Sequence, residues 1–405
     1  MANWSDPRSN ASLRATSVGT DAAAFDAGLR SYMLSVYNYM ASGVLLTGIV
    51  ALLFANSGMA VAVLSGPLRW LVMLAPLAFV MVLSFGINRL STGAAQAIYW
   101  AYAAVMGLSM ASIFLVFTGT SIAQTFFATA LESGADGIAV APLHGERWVT
   151  PIQQAVDQGV PVVGFNVTAL DSALRTWVGQ DDYASGVTLG RELIRQLDAA
   201  GATTGTIAVG SCNPGENVLQ DRDAGLRETF SGAGFSLLAT QDVHLAIAEN
   251  ARAWERVVTS HPEIVAAVGL CYPDVPNLAA LKTRTGGTWL IGGYNLDGPS
   301  LDALASGEAQ VVIGQQEYLQ GYLPVAILAE HLINGTPLVE GWLETPAEVV
   351  TSENVTQYAA RESDGQAQYD YYRAYIDDHF GDLQAAARPY DDLRTLGVPP
   401  ATPAP

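Results

Sequence analysis

The sequence predicts two fold classes in one chain: an N-terminal α-helical transmembrane segment of three spans plus part of a fourth, followed by an α/β region built on parallel sheets. Three observations carry this. Uncharged apolar runs of membrane-spanning length fill the first third of the 405 residues. Beyond residue 131, short apolar strands alternate with amphipathic helices. The charge changes sign between the two parts. Residues 1–130 hold five Arg, no Lys and three Asp, a net of +2, and the remainder holds 14 basic and 35 acidic residues, a net of −21.

Residues 1–30 are polar, with neither the apolar stretch nor the small-residue cleavage site of a secretory signal, so the first span is expected to direct the chain to the membrane. The runs Met33–Ala55, Trp70–Ile87 and Gln96–Phe117 would measure about 27 to 35 Å as helices, against a hydrocarbon core of ~30 Å. Buried helices of water-soluble domains are seldom so long and so free of charge. Tyr32, Tyr37, Trp70, Tyr99, Trp100 and Tyr102 lie near the ends of the runs, where amphipathic rings prefer the interface. Pro76 is tolerable inside a bundle, whose neighbours satisfy the freed carbonyl. Arg8, Arg14, Arg30 and Arg89 fall on one side of the membrane and Arg69 on the other. That bias places the N-terminus in the cytoplasm and everything after residue 131 outside.

From Asp136 the pattern changes: "DGIAVAP" reads as a strand, "RWVTPIQQAVDQG" as a helix closed by Gly159, and "VPVVGFN" as the next strand. The alternation continues through "TWVGQD", "GTIAVGS", "AAVGLC", "GTWLIGGYN" and "AQVVIGQ". Ligands of such sheets sit beyond the carboxyl ends of the strands. Polar residues collect there: Asn166, Asp181 and Asp182, Asn295 and Gln315. Singly, an Asn at a strand end is commonly a turn residue and an Arg on a helix face is commonly solvated. Their joint placement argues for a shared cleft.

Several classes of function are excluded or disfavoured. The acidic second part has no basic stripe, so nucleic acid would be repelled. Two cysteines cannot make a disulfide framework or a cysteine zinc cluster, and His144, His244, His261, His331 and His379 have no metal-ligand spacing. No cofactor motif is present, and no G-x-S-x-G elbow, P-loop or G-x-G-x-x-G follows a strand. "GSCNPG" has the look of a nucleophile turn, with no histidine placed to serve it. Cys212 and Cys271 follow strands that would be neighbours; two inert buried thiols are the preferred reading and a disulfide the alternative.

Two families are resembled. "DAGLRSYMLSVYNYMASGVLLTGIVA" and "STGAAQAIYWAYAAVMGLSMASIFLVFTGTSIAQTFFATA" resemble the opening spans of the bacterial Bax inhibitor family over roughly residues 20–130. That family is polytopic and associated with calcium leak, but its paired aspartates lie in later spans, and the three runs here hold no ionisable residue. "GADGIAVAP", "GVPVVGFN", "WVGQDDYASG", "DRDAGLRE", "LIGGYN" and "VVIGQQEYLQGY" resemble the type I periplasmic sugar-binding proteins over residues 131–365. The resemblance implies two α/β lobes closing on a sugar whose hydroxyls are read by carboxylates, amides and an arginine fork. It points to Asn166, Asp181, Arg222 of an R-x-x-G signature ending at Gly225, Asp274, Asn295, and Gln315 or Gln316 at the hinge. Asn295 replaces the aspartate many members carry.

Measured against that family the first β-α-β is absent, so "DGIAVAP" lacks a partner on one edge, and the lobe's stacking aromatics are gone. The first lobe is expected to be damaged and the second whole. Both parent patterns break off at one point, as a rearranged coding sequence would make them. The expected organisation is a polar segment 1–30, a membrane region 31–130, lobe 1 from 131–181 and 316–344, and lobe 2 from 182–315 and 345–365. A helical extension with a disordered Pro/Ala tail occupies 366–405. The implied function is a membrane-tethered module that holds a monosaccharide-like ligand for an ABC permease, without chemistry or cofactor, in the bacterial inner membrane with its binding domain in the periplasm. The lipid bilayer is the other partner. The alternative is a Bax-inhibitor-like membrane protein with an ion-leak or stress role.

Overall fold

The apolar runs and the alternating segments fold as separate units in the computed structural model, which describes residues 40, 42–55, 63, 68–86, 91–116 and 119–394. The division falls between Gly119 and Thr120. The polar segment 1–30, Tyr32 and Tyr37 at the start of the first run, and the Pro/Ala tail lie outside the described residues.

In the first unit residues 42–55 are helical, followed by helices Leu68–Gly86 and Thr92–Val116. Their packing inverts that of a water-soluble bundle, with small residues inside. Ala51, Ala103 and Ala111 are buried. A Cβ at Gly107 would lie 2.5 Å from the Thr47 carbonyl oxygen. Thr47 Oγ1 donates across to the Ala103 carbonyl at 2.9 Å. Large apolar side chains face outward instead: Val44 is 73 % exposed, Leu53 67 % and Leu71 68 %. Close approach through small residues is how helices associate where burial of apolar surface gives no drive. Each of the expected spans ends partly outside the described residues, and among the described residues no helix is long and apolar enough to cross a membrane.

Helix Gly119–Glu132 begins the second unit. Its Phe127 is buried edge-on against Trp148, with ring centroids 5.6 Å apart. The apolar segment that the sequence assigns jointly to a fourth span and an α/β helix therefore serves a protein core here. The strands, in chain order, are β1 (Ile138–Val140), β2 (Val162–Phe165), β3 (Thr176–Gly179), β4 (Gly205–Ser211), β5 (Phe235–Leu237), β6 (Gln241–Asp242), β7 (Ile264–Gly269), β8 (Leu290–Tyr294), β9 (Val311–Gly314), β10 (Gly341–Glu344) and β11 (Glu348–Val350).

They make two sheets. The first is four-stranded and parallel, in the order β1-β2-β3-β10. The second is seven-stranded, in the order β11-β9-β8-β7-β4-β5, with β6 also on β4; β11 is antiparallel to β9 and the other pairs are parallel. Alternate side chains of the first sheet enter opposite cores. Val162 and Trp177 meet Trp148 and Ile152, while Val163 and Val178 meet Leu319 and Leu323. Coverage on both faces is what the continuous apolar strands require.

Among the described residues β1 pairs with β2 alone, so the first lobe does end in an edge strand. Its core is nevertheless closed. After helix Val355–Ser363 the chain returns to this lobe, where Tyr372 and Phe380 join the core beside Leu323, and Leu393 joins the core beneath Trp148. Arg388 makes an isolated antiparallel bridge with Trp342 of β10 and sets its guanidinium 4.1 Å from the Trp342 ring. The residues expected as a mere extension thus finish lobe 1. Trp148, fully buried, ties helix Gly119–Glu132 to the sheet. Trp148→Ala should cost about 3–5 kcal/mol, read as a lowered urea midpoint of the full chain.

Candidate functional site

The carboxyl end of β3 leads through Gln180 and Asp181 into helix Asp182–Ala199. Asp181 is spent as the helix cap: its Oδ1 accepts from the Ala184 N–H at 2.8 Å. Asp182, next along, is buried and accepts from Arg222 Nε at 2.7 Å and from Gln180 Nε2 at 2.9 Å. Of the two neighbouring carboxylates, Asp181 thus caps the helix and Asp182 is the one joined to Arg222. Burial pushes the Asp182 carboxyl above its ordinary range, and the Arg222 charge pulls it back.

Arg222 reaches Asp182 because two helices approach without side chains between them. A Cβ on Gly186 would lie 2.2 Å from the Arg222 carbonyl oxygen, and one on Gly225 would lie 2.1 Å from that of Tyr183. This is the physical content of the arginine–glycine spacing. The guanidinium also donates from Nη1 to the Leu270 carbonyl at 2.9 Å and from Nη2 to Gln315 Oε1, and lies 4.2 Å from the Tyr294 ring centre. Three of its five N–H groups are used in this way.

From Gln315, at the end of β9, the network runs in two directions. Its Nε2 donates to Asn295 Oδ1 at 2.9 Å, and Asn295 Nδ2 donates to Glu317 Oε1 at 3.0 Å. Its backbone carbonyl accepts from Gln320 Nε2 at 2.8 Å, and Gln320 Oε1 accepts from Asn166 Nδ2 at 2.9 Å. Asn166 and Asn295 follow β2 and β8 with φ of 59° and 75°, a left-handed conformation that asparagine tolerates better than most residues. Of the sequence candidates, Asn166, Arg222, Asn295 and Gln315 are joined in one network that spans both lobes. Gln316 adjoins it with φ 58°, and its side-chain Oε1 is buried without a partner. Gln180 Oε1 and Ser211 Oγ, at the ends of β3 and β4, are orphaned in the same way.

Asp274 is not brought to this network. It is fully buried, and its oxygens accept from Asn250 Nδ2 at 2.7 Å, Trp254 Nε1 at 2.8 Å and the Cys271 N–H at 2.8 Å. Its job is to hold the loop after β7, and burial pushes its carboxyl up to about 6. Beside it Cys212 and Cys271 form a disulfide with Cα atoms 6.0 Å apart, so the preferred reading of two free thiols gives way. The pairing follows from β4 and β7 being adjacent strands that end level with each other.

Asp182 was already among the strand-end polar residues of the sequence, and the structure shows that it, and not the capping Asp181, pairs with Arg222. Gln320 and Glu317 lie within the quoted "VVIGQQEYLQGY", but nothing in that stretch singled them out as members of the network. At the rim the lobes touch. The His144 N–H donates to Glu216 Oε2 at 3.0 Å and Asn217 Nδ2 donates to Thr168 Oγ1 at 2.8 Å, bordering a cavity of about 210 Å³.

Two parallel-sheet lobes exchanging strands, with polar side chains gathered between their carboxyl ends, define a two-lobed binding fold. The chain belongs to the periplasmic binding protein domain family, whose model matches residues 118–336. A second family, inhibitor of apoptosis-promoting Bax1, matches residues 29–136, so both matches include helix Gly119–Glu132. The α/β part is similar to the xylose/arabinose-binding protein XylF of Sulfolobus acidocaldarius, 25% identical over 247 residues, covering 56% of this chain and 60% of that protein. The apolar part is similar to the inner membrane protein YbhL of Escherichia coli, 43% identical over 111 residues, covering 27% of this chain and 47% of that protein. The chain thus spans well under two thirds of either relative. A solute-binding protein of an ABC transporter from Burkholderia graminis, solved with D-arabinose, shares the fold with a TM-score of 0.54 at 20% identity, covering 60% of this chain and 84% of that one.

Asp221, on helix Asn217–Phe230, is pushed up to about 7 by burial and then by the charges of Asp182 and Asp181. A folded-state value above the unfolded one makes stability fall as pH rises from about 4 to 7 and level off beyond. Asp221→Asn should remove that decline, so its melting temperature relative to the parent rises between pH 4 and pH 8 in a thermal scan. Reducing the Cys212–Cys271 bridge, or replacing both residues by Ser, should cost about 2–5 kcal/mol in urea unfolding, since 59 residues separate the cysteines.

Proposed function

We propose that the α/β unit holds a neutral monosaccharide-like ligand between its lobes without converting it, as a membrane-tethered solute-binding module serving an ABC-type permease. One observation carries this: a polar network drawn from the strand ends of both lobes, with the buried acceptors Gln180 Oε1 and Gln316 Oε1 and the hydroxyl of Ser211 unpartnered. Buried polar groups without partners are costly, and ligand hydroxyls are the donors and acceptors that would complete them. Asn166, Arg222, Asn295, Gln315 and Gln316 would then read the hydroxyls, with Asp182 holding Arg222. Relatives named for xylose, arabinose, ribose and allose support a pentose or hexose as the ligand class.

The tether rests on the outward-facing apolar residues of the first unit, Val44, Leu45, Leu53 and Leu71 among them, and on its likeness to an inner membrane protein. The N-terminus would be cytoplasmic and the binding unit periplasmic. The Bax-inhibitor-like match favours a second reading, an ion leak through the apolar helices. Calorimetry of the full chain in detergent with D-xylose, L-arabinose and D-ribose should give saturable binding of at least one. Gln315→Ala, which breaks the network at its branch, should weaken it by about tenfold or more. The chain in vesicles should pass no calcium. A flat titration with every sugar, together with a calcium flux, would transfer the function to the helices.

A further inference from the structure

We propose that the groove between helices Glu317–Asn334 and Gly365–His379 is a separate carbohydrate site, which takes one unit of a neutral oligosaccharide on the first lobe. Tyr318 and Tyr322 of the first helix and Tyr369, Arg373, Ile376 and Asp377 of the second border a cavity there of about 300 Å³. Sites for small molecules commonly hold ~300–1,000 Å³, so this one suits a single ring. The spacing i, i+4, i+7 and i+8 puts the four residues of the second helix on one face, and Tyr318 and Tyr322 are one turn apart on the other wall. None of the six belongs to the Arg222 network or to the cavity between the lobes, so the site stands apart from the sugar-binding reading above.

The groove has an aromatic part and a polar part, and each constrains the ligand. Tyr372, Tyr318 and Tyr322 form a run of near-parallel rings, with centroids 4.5 Å and 5.9 Å apart and planes within 5° and 14° of each other. The run starts in the core at Tyr372, 1 % exposed, and ends in solvent at Tyr322, 46 % exposed. Tyr369 on the facing wall is 43 % exposed. Rings held by such packing lose little freedom when a ligand settles on them, and the C–H face of a sugar ring is attracted to the negative face of an aromatic ring. The polar part is a charge pair that does not close. Arg373 and Asp377 stand four residues apart on one helix, yet among the described residues no ion pair joins them. Arg373 donates to the Tyr369 hydroxyl at 3.4 Å, and Asp377, Tyr318 and Tyr322 have no side-chain hydrogen bond among the described residues. A guanidinium only donates and a carboxylate only accepts, so a ligand that serves both at once must carry acceptors and donors side by side. Neighbouring sugar hydroxyls do so without charge. An anion would meet Asp370, Asp377 and Asp378 on the same helix, and a simple cation would meet Arg373.

The test is calorimetry and saturation-transfer NMR of the full chain in a polyoxyethylene detergent, which carries no sugar, with cellotetraose, maltotetraose and chitotetraose as probes. The parent should bind at least one with a Kd of about 1 mM or tighter. Tyr322→Ala and Arg373→Ala should each weaken that binding by about tenfold or more, with melting temperatures equal to the parent's because both residues are exposed. Gln315→Ala, which breaks the network between the lobes, should leave it within about twofold. The proposal is overturned if the parent binds none of the three, or if both groove variants bind as the parent does. It is equally overturned if Gln315→Ala loses the tetrasaccharide, which would return the binding to the cleft. A decaproline peptide that binds the parent where no saccharide does, and is lost in Tyr322→Ala, would give the groove to a polyproline II segment instead.

Discussion

The second unit depends on keeping one buried guanidinium satisfied. Arg222 is 4 % exposed, and an uncompensated charge at that depth would cost several kcal/mol. Its partners come from three places distant in sequence: the carboxylate of Asp182 after β3, the carbonyl of Leu270 after β7 and the amide of Gln315 after β9. Those segments must therefore end at one level, and they do because the strands preceding them are parallel or cross between the sheets at that point. The bare crossing of two helices at Gly186 and Gly225 brings Arg222 within reach. The disulfide and the buried carboxylate of Asp274 brace the loop that offers the Leu270 carbonyl. Structural roles are divided among neighbours: Asp181 caps, Asp182 pairs with Arg222 and Asp274 braces.

The two units pack by opposite rules. In the first unit alanines, a glycine and a threonine occupy the interior and leucines and valines the exterior, the reverse of the order usual in a water-soluble domain. In the second unit the order is the usual one, with Trp148, Trp177, Trp254 and Trp342 fully buried. Helix Gly119–Glu132, matched by both families, behaves by the second rule, since its Phe127 is inside.

Much of this was legible because it is periodic or local. The alternation of apolar strands and amphipathic helices announces parallel sheets, and polar residues at strand ends announce a cleft; Asn166, Arg222, Asn295 and Gln315 do meet in one network. Choosing between Asp181 and Asp182 required knowing which was consumed by the helix cap. The resemblance pointed to Asp274 as a ligand contact, but its neighbours Asn250 and Trp254 arrive from another helix, and no spacing in the sequence records that. The role of the C-terminal residues was hidden for the same reason. Tyr372, Phe380 and Leu393 carry an ordinary amphipathic pattern that states a buried face and not the face it is buried against.

By itself the sequence determined the division into two compositions, the α/β class of the second unit and the ends of strands at which polar groups would gather, since composition and hydrophobic period act on each segment independently of the rest. Tertiary structure alone decided which carboxylate pairs with Arg222, that Cys212 and Cys271 join, that the last helices complete the first lobe, and that Glu317 stands beside Asn295. Those outcomes depend on distances between residues tens to more than a hundred positions apart, which only the packing of the sheets and helices sets.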